Sequence, residues 1–110
     1  MKYLITESQR DKAIFLYLNN QDFIQIEKVD KIYFVNSEGD KYAQIRYDKD
    51  DGWCGIDDKL IEEISSFFSL DEFDSKEVIG GWVENTLRMR VTDTSKFSKS
   101  VSPGLRIPSN

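Results

Sequence analysis

Apolar and polar positions alternate from Phe23 to Ile56, and the rest of the chain is organised around that stretch. The alternation predicts four short strands joined by three hairpin connections: Phe23–Glu27, Lys31–Asn36, Lys41–Tyr47 and Trp53–Ile56. Glu38-Gly39 read as a two-residue turn pairs Val35 with Tyr42, Phe34 with Ala43 and Ile32 with Ile45. Asp51-Gly52 is the stronger turn signal, and pairs Asp50 with Trp53 and Tyr47 with Ile56. These registers place Ile32, Phe34, Ala43, Ile45, Tyr47 and Ile56 on one face. A three-residue connection, Lys28-Val29-Asp30, keeps Ile24 and Ile26 there too. A one-residue slip would turn a strand's whole set over, so the agreement is a test of the register.

Helical periodicity flanks the meander. Tyr3–Ile5 suits a short strand or an extended lead-in, and Thr6-Glu7-Ser8-Gln9 has the form of a capping box. A helix from about Glu7 to Asn19 follows, with Asn19-Asn20 as its terminator. Its run Ala13–Leu18 is apolar throughout, so it is expected to be sandwiched or to lie against a broad sheet face. After the meander, Asp57 or Asp58 caps a helix to about Ser69. Leu60, Ile64, Phe67 and Phe68 form its apolar stripe, opposite Glu62, Glu63 and Ser66. Asp74-Ser75-Lys76-Glu77 opens the last helix, to about Met89, although Ser69-Leu70-Asp71-Glu72 has the same form. Val78, Ile79, Trp82, Val83, Thr86 and Leu87 face inward. Gly80-Gly81 inside it indicates either a close approach or kink, or a tolerated irregularity costing about 1 kcal/mol per glycine. Arg88–Thr94 is an extended edge segment. From Ser95 to Asn110, serine, Pro103-Gly104 and Pro108 replace apolar periodicity, the composition of a mobile tail.

Composition narrows the class. With 110 residues the chain suits one domain, here 1–94 with a polar tail 95–110. No apolar run approaches the roughly 20 residues of a membrane span. The start turns polar and acidic by Thr6-Glu7, before a signal peptide could form, so a cytoplasmic location is expected. Histidine is absent, which removes the commonest general base and the usual partner of a nucleophile. The single cysteine, Cys54, makes no internal disulfide, and no zinc cluster can be assembled around it. A net charge of −5 opposes broad phosphate binding. No catalytic residue, cofactor or metal ligand is assigned, and the chain is read as non-enzymatic.

Candidate chemistry is sparse. Asp48-Lys49-Asp50-Asp51-Gly52 invites comparison with a calcium loop, but aligning Gly52 with the invariant glycine puts Tyr47 and Lys49 at ligand positions. A polar turn is the better reading. Carboxylates crowd the stretch from Asp48 to Glu77 at caps, turns and exposed helix positions. Acid–base work would need a cleft that gathers a pair of them. The alternatives are a solvated face or a surface that mimics a phosphate backbone or docks on a basic partner. Cys54 lies in acidic surroundings, which do not favour a thiolate.

The outer face of the meander carries Tyr33, Val35, Tyr42, Gln44, Arg46 and Trp53, with Gln25 and Glu27. Aromatics and Arg suit an interface centre, and Tyr33, Tyr42, Gln44, Arg46 and Trp53 are its candidate contacts. The same residues suit a stacking platform for single-stranded nucleic acid, helped by cations of the C-terminal stretch: Arg88, Arg90, Lys96, Lys99 and Arg106. They equally suit cross-strand pairs of a solvated or covered sheet.

Lys2-Tyr3-Leu4-Ile5-Thr6-Glu7-Ser8-Gln9 and Ile79-Gly80-Gly81-Trp82-Val83-Glu84 resemble segments of small uncharacterised phage-encoded proteins. Those open with a similar K-Y-I-I-T-E-x-Q and end on an acidic helix followed by W-V-E. The resemblance implies a virus-associated accessory origin and carries over no functional residue. The expected fold is α+β: an N-terminal helix, a four-stranded antiparallel β-meander and two C-terminal helices packed on one sheet face. The expected function is binding of an unknown protein partner, with single-stranded nucleic acid the alternative and no membrane association.

Overall fold

The computed structural model describes residues 2–35 and 43–97, with side chains from residue 9 onward. The elements run α1 (Lys2–Asn19), β1 (Ile24–Glu27), β2 (Lys31–Val35), β3 (Ala43–Asp48), β4 (Trp53–Asp57), α2 (Asp58–Phe68), α3 (Glu72–Leu87) and β5 (Asp93–Phe97). The architecture is α+β, with one helix before a mostly antiparallel sheet and two after it. The sheet has five strands rather than four, in the order β1-β2-β3-β4-β5. The first four form the antiparallel meander, and β5 adds parallel to β4, from Trp53↔Asp93 to Asp57↔Phe97. The expected edge segment is therefore a fifth strand, and it takes up residues 95–97 assigned to the tail. A parallel neighbour needs a long crossover, which α2 and α3 supply.

α1 starts at Lys2, so the expected lead-in at Tyr3–Ile5 is helical and Thr6–Gln9 lie inside the helix. Once its second half packs, each further residue adds a ladder bond without a new nucleation cost. Asp57 precedes α2 in extended conformation, and Ser69 closes that helix left-handed. α3 begins at Glu72, not at Asp74: the Asp71 carboxylate accepts from the Asp74 amide at 2.7 Å, so the earlier of the two capping patterns is used. It ends at Leu87, with Arg88 left-handed.

Register departs from expectation in a patterned way. Phe34 pairs with Ile45, Ile32 with Tyr47, and Tyr47 with Cys54, each shifted by two residues. The shift of Tyr47 onto Cys54 comes from a four-residue β3–β4 loop, in which the Gly52 amide bonds the Asp48 carbonyl at 2.9 Å and Gly52 takes φ +77°. A shift of two preserves faces, so Ile32, Phe34, Ile45, Tyr47 and Ile56 do line the core with Cys54. Two assignments do turn over. Val29-Asp30 is a two-residue turn closed by Lys28 N–H to the Lys31 carbonyl at 2.7 Å, so Ile26 pairs with Tyr33 and Ile24 with Val35. Ile24 and Ile26 thus leave the core face, while Gln25 and Glu27 oppose the core residues Phe34 and Ile32. In β3 the register slips between Phe34 and Val35, making Gln44 an extra residue and moving Ala43 to the outer face. The Glu38-Gly39 turn lies outside the described residues.

The core packs all three helices on one face: Ile14 and Leu18 of α1, Leu60, Ile61 and Ile64 of α2, and Val78, Ile79, Trp82 and Val83 of α3. Thr86, expected inward, is exposed. Phe23 fills the place that β1 vacates, its ring 6.1 Å from Phe34 and 5.7 Å from Trp82. Trp82 Nε1 donates to Asn19 Oδ1 at 2.9 Å, tying α3 to the end of α1. Ser65 and Ser75 share a hydroxyl hydrogen bond of 2.7 Å between α2 and α3. That bond meets the polar requirement of Ser75, which is fully buried.

Candidate interaction surfaces

On the outer sheet face the expected contact residues that are described are engaged, while Ile24 on the edge strand β1 is 51 % exposed. Tyr33 is only 8 % exposed, in a second small cluster with Val35, Ala43 and Ile26. Gln44 is buried at the β3 irregularity. Arg46 is held by both oxygens of Asp48, at 3.1 and 3.3 Å, and lies 5.2 Å from the centroid of Trp53. Trp53 folds over Gly55, where a Cβ would stand 2.4 Å from its ring, and its Nε1 donates to Ser95 Oγ at 3.0 Å. Tyr33, Arg46, Gly55 and Ser95 are successive partners across four strands, so Trp53 and Arg46 seal a row of the sheet. Tyr42 lies outside the described residues, as do Lys99 and Arg106. Of the expected contacts, the fold brings Tyr33, Arg46 and Trp53 onto one face, with each ring or guanidinium already engaged.

Cys54 is fully buried and reduced, and burial pushes its thiol up to about 12, far from thiolate chemistry at neutral pH. Asp57, also fully buried, makes no side-chain cap to α2. Among the described residues, no group of three or more His, Cys, Asp or Glu side chains could hold a metal ion. No described helix is long and apolar enough to cross a membrane. A groove of about 350 Å³ between α3 and the lead into β5 is lined by Glu77, Gly80, Glu84 and Asp93, among others, and its three carboxylates are exposed.

The helical side exposes what the sheet side covers. Phe67, expected in the core, is 65 % exposed, and Ile61 takes the buried position. Its ring is nonetheless fixed, edge-on to Tyr17 at 5.2 Å, and 6.2 Å from Phe68. Tyr17 also meets Phe68 at 5.8 Å, so the three rings form a ridge across the α1–α2 junction. Burial, then the Glu63 carboxylate beside it, raise the Tyr17 phenol above its usual range. On α1, Leu16 is 60 % exposed, so the apolar run there is not sandwiched. Phe73, in the first turn of α3, is another exposed ring.

Periodicity held the signal for Phe67. At about 100° per residue, Leu60, Ile61, Ile64 and Phe68 span an arc centred between Ile61 and Ile64. Phe67 falls at its margin, on the side of Glu63. The role of Tyr17 depends on how α1 crosses α2, which no local pattern encodes. No protein-family profile, curated protein or solved structure matches the chain.

Proposed function

We propose that this protein is a non-enzymatic accessory factor, cytosolic and of virus-associated origin, that acts by binding another protein through the aromatic ridge of α1 and α2. The observation that carries this reading is Phe67, largely exposed yet held edge-on against Tyr17. Large apolar side chains held in place at the surface are characteristic of contact surfaces, since exposing them costs free energy that a partner recovers. The virus-associated origin rests on the resemblance of Lys2–Gln9 and Ile79–Glu84 to phage-encoded proteins. The non-enzymatic reading is supported by the lack of histidine and the inert surroundings of Cys54.

Nucleic-acid binding is the weaker reading, because stacking needs open rings. Tyr33 is buried and Trp53 is tied to Ser95. The test is affinity capture from lysate with three baits: wild type, Phe67→Ala and Trp53→Phe. A partner retained by Trp53→Phe and lost from Phe67→Ala supports the ridge. Identical partner sets on wild type and Phe67→Ala would remove it.

A further inference from the structure

Charge at the ridge constrains the chemistry of what covers it. Glu63 lies against the Tyr17 phenol, one helical turn before Phe67 and on the same side of α2. The chain as a whole carries a net charge of −5. A second copy of the chain would bring this carboxylate towards its own equivalent and like net charge towards like. A nucleic acid or an anionic lipid surface would be repelled in the same way. Water solvates the exposed Glu63 carboxylate in the free protein. An apolar group seated on Phe67 strips part of that water, so a facing cation is needed to restore the balance.

Resting on the proposed role of the ridge, we infer that its occupant is a cationic segment of another protein. An apolar side chain sits against Phe67 and Tyr17, and Arg or Lys reaches Glu63. Arginine suits the site best, since its planar guanidinium pairs with a carboxylate and stacks on an aromatic face.

The probe is a display library of random peptides selected on the full-length protein. Recovered peptides are re-measured on Phe67→Ala, on Glu63→Gln, and at low and high salt. Both sites are exposed, and circular dichroism confirms that the variants fold. The expected result is that peptides losing about tenfold or more in affinity on Phe67→Ala carry net positive charge beside an apolar anchor. They also weaken severalfold on Glu63→Gln and in high salt. Phe67-dependent peptides that are neutral or acidic would overturn the cationic partner while leaving the ridge as a site. If no peptide depends on Phe67, the ridge itself falls and the inference with it. A dimer in solution that Phe67→Ala dissolves would make a second copy the occupant, which also overturns it.

Discussion

Gly80 and Gly81 are neighbours in α3 with opposite surroundings. A Cβ on Gly80 would stand 2.7 Å from Thr94 Cγ2, whereas on Gly81 it would meet Phe15 Cζ at an ordinary 3.8 Å. Alanine gains about 1 kcal/mol of helix propensity at either site. At Gly80 that gain is outweighed by overpacking against a β-branched side chain on a paired strand, about 1–3 kcal/mol. Gly81→Ala is therefore expected to raise the melting temperature and Gly80→Ala to lower it, with Gly80→Ala/Thr94→Ser recovering most of the loss. A Gly80→Ala protein as stable as wild type would contradict the close packing of α3 on β5. Both glycines were visible in the sequence, but only the non-local strand beside one of them tells them apart.

Cys54 gives the residue scale a pH signature. Its thiol is raised from 9.0 to about 12 by burial. Below pH 9 it is protonated in both states and its contribution is fully present. Between those values the unfolded chain releases the proton and the native one keeps it, so stability falls with rising pH by about 1.4 kcal/mol per unit. Urea titrations near pH 8 and near pH 10.5 should show a smaller alkaline loss for Cys54→Ala than for wild type. Equal losses would mean that this thiol is not what titrates. Tyr47, likewise raised chiefly by burial, accounts for part of the slope that remains.

Among the elements, turn length decided which expectations survived. The four-residue loop before Trp53 moved the β3–β4 register by two and left Ile45, Tyr47 and Ile56 on the core face. The Val29-Asp30 turn moved β1 by one and turned it over. Both loops carry acceptable turn residues, and alternation alone ranks the two β1 registers equally, because Phe23 fills the core in one as Ile24 and Ile26 would in the other. In the observed register Lys49 Nζ bonds Glu27 at 2.6 Å and the Lys28 carbonyl at 3.0 Å. Helix starts obey nearer rules. Asp71→Ala removes the one observed side-chain cap of α3 and should cost about 1 kcal/mol in chemical denaturation. Asp74→Ala, one turn inside, should cost clearly less, and the reverse order would move the start of the helix.

At the scale of the whole molecule, the α+β class and the single helix-covered sheet face follow from patterning, because alternation and amphipathic stripes each require a partner layer. The parallel fifth strand does not, since Asp93–Phe97 has no apolar alternation and is placed by what it touches. Tyr47 donates its phenol to the Arg90 carbonyl at 2.7 Å, Thr92 N–H bonds the Gly52 carbonyl at 2.9 Å, and Trp53 holds Ser95. The location of the proposed interaction site was not legible in the sequence. The acidic helices are plain in the sequence, while the ridge exists only where α1 meets α2. Tyr47→Phe removes one anchor of β5 and is expected to cost about 1 kcal/mol. Amide exchange should locate the loosening in Asp93–Phe97, and a loss spread evenly over the sheet would count against it.

The same anchors make β4 an interior strand only by courtesy of the last one. A chain ending at Leu87 keeps α1 to α3 and the meander, yet leaves the Trp53–Asp57 backbone with a bare row of amides and carbonyls. Such a margin templates pairing with a strand from elsewhere. Truncation should then convert a tractable protein into one that exchanges strands between copies, and a synthetic peptide spanning β5 should reverse the association by occupying the vacant track.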